Sequence, residues 1–396
     1  MARLILFDDG GSELGPLGDL RSSFEQRTGI FTGLGRAERS LERKAELHVM
    51  NDDGALASER TGRPLADPND SAEAIIVNGR LADGGHLRVP EPGVVRTTGD
   101  GSIAIGRLAG DALLAFLSDG STGDASHEVD EAATCFTHPW DLLGSLADRV
   151  AADAALSGDS LPVPDGVVRF GEHAVHIGAN ARVLPTVVLD VTEGPIWIDE
   201  GAEIRPGTVL CGPCAIGREC VITDRSRIKR GTSLGPGCKV GGEVKNTIFQ
   251  GFSNKGHDGH LGDALVGEWV NIGAGTDNSN LLNTYAEVLM RLEHDGSLHR
   301  TGLIFMGCVL GDHVKLAIGT RVMTGTTIGT GAMVASSTPP PAFTRRFSWR
   351  TDADPKAYQW RKFIGVVETV MARRSITPGP AYLAKLADLH ASAVGS

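Results

Sequence analysis

Residues 198–240 read IDEGAEIRPGTVLCGPCAIGRECVITDRSRIKRGTSLGPGCKV. Every sixth residue is aliphatic: Ile198, Ile204, Leu210, Ile216, Ile222, Ile228, Leu234 and Val240. With roughly one residue in five being Ile, Leu or Val, such a run in a fixed frame arises by chance on the order of once in 10⁵ to 10⁶. A period of six fits neither the turn of an α-helix nor the alternation of a flat strand. The residue four places after each aliphatic is small: Ala202, Thr208, Cys214, Cys220, Ser226, Thr232, Cys238. One large and one small inward residue per six describes a narrow triangular coil with short flat strands and tight corners. Gly201, Gly207, Gly231 and Gly237 fall at the corners, where a positive φ costs glycine little. Stacked coils bury one another's aliphatic faces. The stretch therefore predicts a left-handed parallel β-helix of hexapeptide repeats.

The frame also holds on either side. Ile177, Val183 and Leu189 precede it, and Ile304, Leu310, Leu316, Val322, Ile328 and Val334 resume it. The β-helix is expected over residues 167–341, where Pro339-Pro340-Pro341 stops it. Residues 1–160 have another texture. Leu4–Phe7 and Glu73–Val77 read as buried strands, Arg36–Glu46 as a charged helical stretch, and 118–132 as a polar mobile loop. Pro139–Leu156 reads as helix, with Trp140, Leu143 and Leu146 on one side. Strands mixed with helices predict an α/β domain, joined through the Gly/Pro-rich stretch Ser157–Gly166. Residues 342–396 form a helical extension: Asp354-Pro355 is a helix start, followed by Trp360, Phe363, Ile364, Val367 and Met371 at helical spacing. A second short helix is expected over Ala381–His390. The stripe is expected to cap the β-helix or meet a neighbouring subunit.

Charge and composition narrow the function. Forty-nine acidic residues against 38 basic ones give a net charge of -11, the wrong sign for a nucleic-acid partner. The opening Met-Ala-Arg-Leu-Ile-Leu-Phe-Asp-Asp has too short an apolar run for a signal peptide or a membrane span, so a cytoplasmic protein without membrane contact is expected. Six cysteines in so long a chain read as reduced thiols. Cys214, Cys220 and Cys238 take small inward slots as hydrophobes, and no metal site is expected from the cysteine spacing.

The frame fails between Val240 and Ile304, and polar residues concentrate there. A breach in a strongly specified repeat is where function is expected. The segment holds Glu243-Val244-Lys245-Asn246, then Ser253-Asn254-Lys255-Gly256-His257-Asp258-Gly259-His260-Leu261-Gly262-Asp263. Asn271-Ile272-Gly273-Ala274-Gly275-Thr276-Asp277-Asn278-Ser279-Asn280 follows. Residues 285–301, with an Asp295-Gly296 turn, look like an inserted hairpin.

Lys245 through Asn280 resembles the acyltransferase domain of the GlmU family, glucosamine-1-phosphate acetyltransferase joined to N-acetylglucosamine-1-phosphate uridylyltransferase. The string from Ser253 to Gly262 is closest to the divergent GlmU-like proteins of the Bacteroidetes type. The resemblance covers residues 170–340 well and the N-terminal region faintly.

The resemblance implies an acyl-CoA-dependent N-acetyltransferase on an amino-sugar phosphate, in nucleotide-sugar biosynthesis, with acetyl-CoA as co-substrate and a homotrimer as the assembly. His257 matches the family's catalytic base; an imidazole suits deprotonation of an amine near neutral pH. The Ala274 amide matches the donor near the thioester. Lys245 matches a sugar-phosphate lysine, and Lys229 sits near a phosphate-binding arginine. Lys255 and His260 belong to the same substrate-binding block. Asn271 and Asn280 match sugar-contacting asparagines. His260 and Leu281 stand where the better-known enzymes have tyrosine, which puts the acceptor in question more than the chemistry. Arg345 and Arg346, just past the repeat, are candidates for the CoA phosphates.

The N-terminal region lacks the family's Gly-rich loop ending in Thr-Arg and its Pro-Lys. Weak or absent nucleotidyl transfer is expected, with Asp9 and Arg21 as fallback residues and Mg2+ relevant only if that activity survives. The alternatives are a sugar-1-phosphate nucleotidyltransferase whose β-helix serves oligomerisation or regulation, a zinc hydrolyase of the γ-carbonic-anhydrase type, and a non-catalytic trimeric scaffold. The hydrolyase needs three converging histidines, and His257, His260 and His313 lack that spacing.

Overall fold

The computed structural model describes residues 2–395 except 51, 52, 83–85, 157 and 159. Two positions of the expected linker, 157 and 159, thus lie outside the described residues. The N-terminal region is a mixed sheet of β1 (Arg3–Asp8), β2 (Ala45–Val49), β3 (Ala74–Asn78), β4 (Val94–Thr97), β5 (Ile103–Leu108) and β6 (Ser126–Val129), in the order β2-β1-β3-β5-β4-β6. Alternation along β1 sends Leu4 and Leu6 to one face and Ile5 and Phe7 to the other. Both faces are covered: Leu34 and Ala57 of α1 (Gly33–Leu41) and α2 (Gly54–Thr61) on the first, Leu113 and Phe116 of α3 (Gly110–Asp119) on the second. That is why the strand reads as an unbroken apolar run.

Three sequence expectations outside the coils need correction. The charged stretch 36–46 is divided between the end of α1 and the start of β2. The polar segment 118–132 carries β6, an edge strand whose four residues are all exposed; an edge with one open side needs no apolar pattern. Asp354-Pro355 starts no helix. Lys356–Ala357 adds an antiparallel strand to the last coil, and α6 begins at Trp360.

From Val168 to Arg350 the chain winds as a left-handed parallel β-helix with three faces; Pro339-Pro340-Pro341 does not stop it as expected, since Phe343–Thr344 and Ser348–Arg350 still pair in parallel with the coil before. The inward aliphatics stack from coil to coil. One column runs Ile177, Ile198, Ile216, Leu234, Phe249, Val266, Leu310, Ile328. Another begins Leu189, Leu210, Ile228, Val244, Leu261. The small residues at Ala202, Thr208, Cys214, Cys220, Ser226, Thr232 and Cys238 are all buried. Ile304 does not belong to the frame: it is 50% exposed, outside the coil beside the inserted hairpin.

The hairpin pairs Leu289–Arg291 with Leu298–Arg300. Its Val288, Met290 and Leu292 join an apolar layer with Leu14, Trp140, Leu143, Leu146 and Val150. That layer lies on the outer residues Trp197, Ala215, Ile248, Leu265 and Val309 of one β-helix face. Two short helices, α4 (Asp141–Gly144) and α5 (Leu146–Asp153), supply its N-terminal side. The C-terminal helices α6 (Trp360–Ala372) and α7 (Pro380–Gly395) pack through Phe363, Val367, Tyr382 and Leu386 on Trp269 and Phe347, and also on Leu20 and Leu56.

Buried ions fasten the N-terminal region to the coils. Arg21 donates two bonds to Asp312, at 2.7 and 2.8 Å, and a third to the Leu17 carbonyl at 3.0 Å. Arg60 bridges Glu25 at 2.7 Å and Glu268 at 3.1 Å. Burial opposes the Arg21 charge, but Asp312 and Glu268 outweigh it and leave the guanidinium above its ordinary range. Asp312→Ala removes both short bonds to the buried guanidinium and leaves it, among carboxylates, only the longer contact with Glu268, at 3.7 Å. It is expected to cost about 3–5 kcal/mol, measured by urea unfolding. Breaking the exposed Arg182–Glu203 pair by Arg182→Ala is expected to cost under about 1 kcal/mol.

Candidate functional site

The repeat does not stop where its sequence pattern fails. The coil length changes instead. A regular turn carries Ile222 onto Val240, a step that keeps the period of six. The next rung sets Val240 against Lys255, a shorter step. The one after sets Asn254 against Asn271, also short of a full turn. Neither step is a multiple of six, so the sequence frame is lost, although the inward column continues through Ile272, Leu316 and Val334.

Lys255 therefore occupies an aliphatic slot. It is 1% exposed, and its Nζ donates to the carbonyls of Gly241 (3.0 Å), His257 (3.1 Å) and Gly259 (2.7 Å). Burial draws the ammonium down to about 8. Two of the three acceptors belong to the corner 256–259, so this side chain holds the turn rather than meeting a ligand, which corrects the substrate-binding expectation for Lys255. His257 stands on that turn and is exposed.

Register then sets His257 against Ala274. Asn254 and Asn271 are partners in adjacent coils, and each precedes its corner residue by three. The Gly275 N–H donates to the Asp258 carbonyl at 3.0 Å, and the Ala274 carbonyl accepts from Gly319 at 2.8 Å. Gly273 N–H is spent on Leu316 at 3.0 Å. Among the described residues the Ala274 N–H has no acceptor. A free backbone donor thus lies one coil from an exposed imidazole.

The face between this corner and the next carries a charge ladder. Arg227 meets Glu243 at 3.0 Å, and Glu243 Oε1 lies 3.6 Å from His260 Nδ1. At the far edge, Lys245, Arg230, Asn246, Asp263, Phe305 and Asp148 line a cleft of about 560 Å³. Lys245 is exposed, with its Nζ 6.0 Å from the Phe305 ring centre. Asp263 accepts from Asn246 at 2.7 Å and from Asn280 at 2.5 Å.

Arg230 and Asp263 enlarge the set expected from sequence. Arg230, paired with Glu193 at 2.6 Å, lines the Lys245 cleft, whereas Lys229 does not. Asp263 lay within the quoted motif, in a left-handed conformation with φ 50°, yet nothing in its type singled it out. Asn271 is exposed and forms a ladder rung, accepting from Asn254 at 2.8 Å.

The remaining candidates lie apart. Arg346 is spent on Asp19 at 2.7 Å and on Glu293; Arg345 is exposed and bonds His294 Nδ1 at 2.9 Å. Asp9 has both oxygens engaged by Arg80, at 2.8 and 2.7 Å, and one also by Asn78 at 2.9 Å. With Arg21 buried against Asp312, both fallback residues are held in internal ion pairs. His313 is buried against the Tyr382 hydroxyl at 2.7 Å, away from the exposed His257 corner.

No protein-family model matches the chain. Among curated proteins it is similar to the bifunctional protein GlmU of Alkalilimnicola ehrlichii, 34% identical over 210 residues, covering 52% of this chain and 40% of that protein. The bifunctional GlmU of Nitrosospira multiformis is 30% identical over 179 residues, 40% of this chain and 36% of its own. That of Azoarcus sp. is 31% identical over 182 residues, 46% and 35% respectively. The chain thus spans about two fifths of the length of these relatives. A solved Arabidopsis UDP-N-acetylglucosamine acyltransferase covers 59% of this chain and 93% of its own at 12% identity, with a TM-score of 0.28, too low to support an argument. Over about half its length, this chain is related in sequence to the bifunctional GlmU proteins.

Proposed function

We propose that the chain transfers an acetyl group from acetyl-CoA to the amine of an amino-sugar phosphate of the glucosamine-1-phosphate kind. The observation that carries this reading is the exposed His257 imidazole one coil from the acceptorless Ala274 N–H. Sequence relationship to GlmU supports the choice of chemistry.

In this reading His257 takes a proton from the amine as the nitrogen lone pair attacks the thioester carbonyl carbon. The carbonyl electron pair moves to oxygen, and the Ala274 N–H stabilises the oxyanion. Collapse breaks the C–S bond, and the imidazolium returns its proton to the departing thiolate. An amide and free CoA result. Lys245 and Arg230 neutralise the sugar phosphate at the far edge of the face, and the Asn246–Asp263–Asn280 cluster receives hydroxyls. Arg345 is the cation left for the CoA phosphates, since Arg346 is paired internally. The CoA groove lies between neighbouring β-helices of a homotrimer. Lys255 acts through the turn it holds and is a positioning residue. With Asp9 and Arg21 consumed by internal partners, no observation favours the nucleotidyl-transfer alternative.

Thiol release from acetyl-CoA with glucosamine-1-phosphate tests the reading. His257→Ala is expected to lower kcat about 10²–10⁴-fold with an unchanged circular dichroism spectrum; an unaffected rate would refute the assignment. Lys255→Met leaves three carbonyls without their donor. It is expected to lower stability by about 1–3 kcal/mol and to lower kcat more than it raises KM for the sugar.

The lysine also makes a pH prediction. Its folded-state value, about 8, lies below the ordinary 10.5. The unfolded chain therefore binds more protons between these values, and stability contributed at this site rises with pH across that window. Thermal unfolding from pH 8 to 10.5 is expected to show this rise in wild type and a smaller one in Lys255→Met.

A further inference from the structure

Three side chains from distant parts of the sequence meet beside the N-terminal sheet. Glu13 lies in the loop after β1, His138 shortly before α4, and His299 on the second strand of the inserted hairpin. One carboxylate oxygen and one nitrogen from each imidazole all lie within 4.8 Å of one another. His138 Nε2 is 3.4 Å from Glu13 Oε2. That matches the edge, about 3.4 Å, of a tetrahedron with metal–ligand bonds of about 2.1 Å. Glu13 is the exposed member of the three, and the two histidines are half-buried.

The backbone prepares this arrangement. The Glu13 N–H donates to the Thr137 carbonyl at 2.7 Å, which holds the loop against the residue before His138. The His138 ring stacks on Trp140 with centroids 4.6 Å apart and planes 8° from parallel. Asp141 accepts the N–H groups of Thr137 and His138, at 2.9 and 2.8 Å, and its Oδ2 stands 3.9 Å from His138 Nδ1. The imidazole thus turns Nε2 toward Glu13, while Asp141, 3.9 Å from Nδ1, fixes the backbone of the turn rather than the ring. Pairing with Met290, whose side chain is buried, fixes the strand that carries His299.

The surrounding field favours a cation. Glu13 and His299 open onto a cavity of about 520 Å³ also lined by Asp8, Asp19, Glu293, Arg21 and Arg346. Both guanidiniums are already neutralised, Arg21 by Asp312 and Arg346 by Asp19 and Glu293. Glu13 is 64% exposed, so an ion reaches it without unfolding.

We propose that Glu13, His138 and His299 bind a divalent transition-metal ion, zinc by preference, with a fourth position open to this cavity. Two imidazoles and one carboxylate are a zinc donor set with room for a further ligand. Imidazole donors disfavour Mg2+ and Ca2+, which take oxygen. The ion clips together the N-terminal loop, the start of α4 and the hairpin. A doubly charged centre at the cavity mouth would accept an oxyanion, such as a carboxylate or a phosphoryl group, in its open position. The site shares no residue with the His257 corner or the Lys245 cleft, so it stands or falls separately from acetyl transfer.

Cobalt(II) titration of the chelator-treated protein provides the test. The expected result is one ion per chain, with a visible absorption band of tetrahedral intensity that zinc abolishes, and a zinc-dependent rise in Tm. His299→Ala and His138→Ala, both on the surface layer, are expected to bind at least about tenfold more weakly with unchanged circular dichroism. His294→Ala, on the same hairpin but outside the cluster, is expected to bind as wild type does. Absence of a saturable band in wild type, or equal affinity in His299→Ala, overturns the proposal.

Discussion

Backbone hydrogen bonds between successive coils fix the register of everything this protein presents on its surface. Each strand pairs with the strands one turn before and one turn after, so a side chain has no freedom to slide along the stack. The inward columns enforce the same register, because a slip would set aliphatic residues against corner backbone. Outward groups inherit that discipline. The His257 ring and the Ala274 amide are neighbours because Asn254 pairs with Asn271, and no direct bond between the two is needed.

Shortened coils create the local exception that chemistry can use. A regular turn fills its three faces evenly. The shortened turns, Val240 to Lys255 and Asn254 to Asn271, leave backbone carbonyls to be satisfied from within. Lys255 meets that need with an ammonium inside the coil. Three carbonyl acceptors offset only part of the penalty of burying the charge, which is why the ammonium still lies at about 8. On the outer side, ion pairs of the same buried kind join the N-terminal sheet to the coils through Arg21, Asp312, Arg60 and Glu268. Interior charge in this molecule serves attachment and shape.

The β-helix was legible in the sequence because its period is strict where the coils are regular; Ile198 to Val240 is enough. The hairpin at 285–301 was legible from its turn residues. Ile304 was misread because a six-residue frame extended back from Leu310 lands on it by arithmetic, while the chain there is leaving the hairpin. Lys255 was misread for a different reason: its role was carried over from the motif resemblance, and only coil length shows that it points inward. Arg230 and Asp263 gained significance from the cleft they share with Lys245. The Glu13–His138–His299 cluster could not be read from spacing, since its members come from three remote segments. Position along the sequence left Arg21 and Arg346 open to ligand roles, because Asp312 and Asp19, the carboxylates that consume them, lie hundreds of positions away.

A crystal structure of the protein with a non-hydrolysable acetyl-CoA analogue and an amino-sugar phosphate would test the central claim most directly. The account predicts the acyl carbonyl oxygen about 2.7–3.1 Å from the Ala274 nitrogen and the sugar amine within hydrogen-bond reach of the His257 ring. An acyl group bound elsewhere, with the His257 corner facing bulk solvent in the assembled protein, would contradict it.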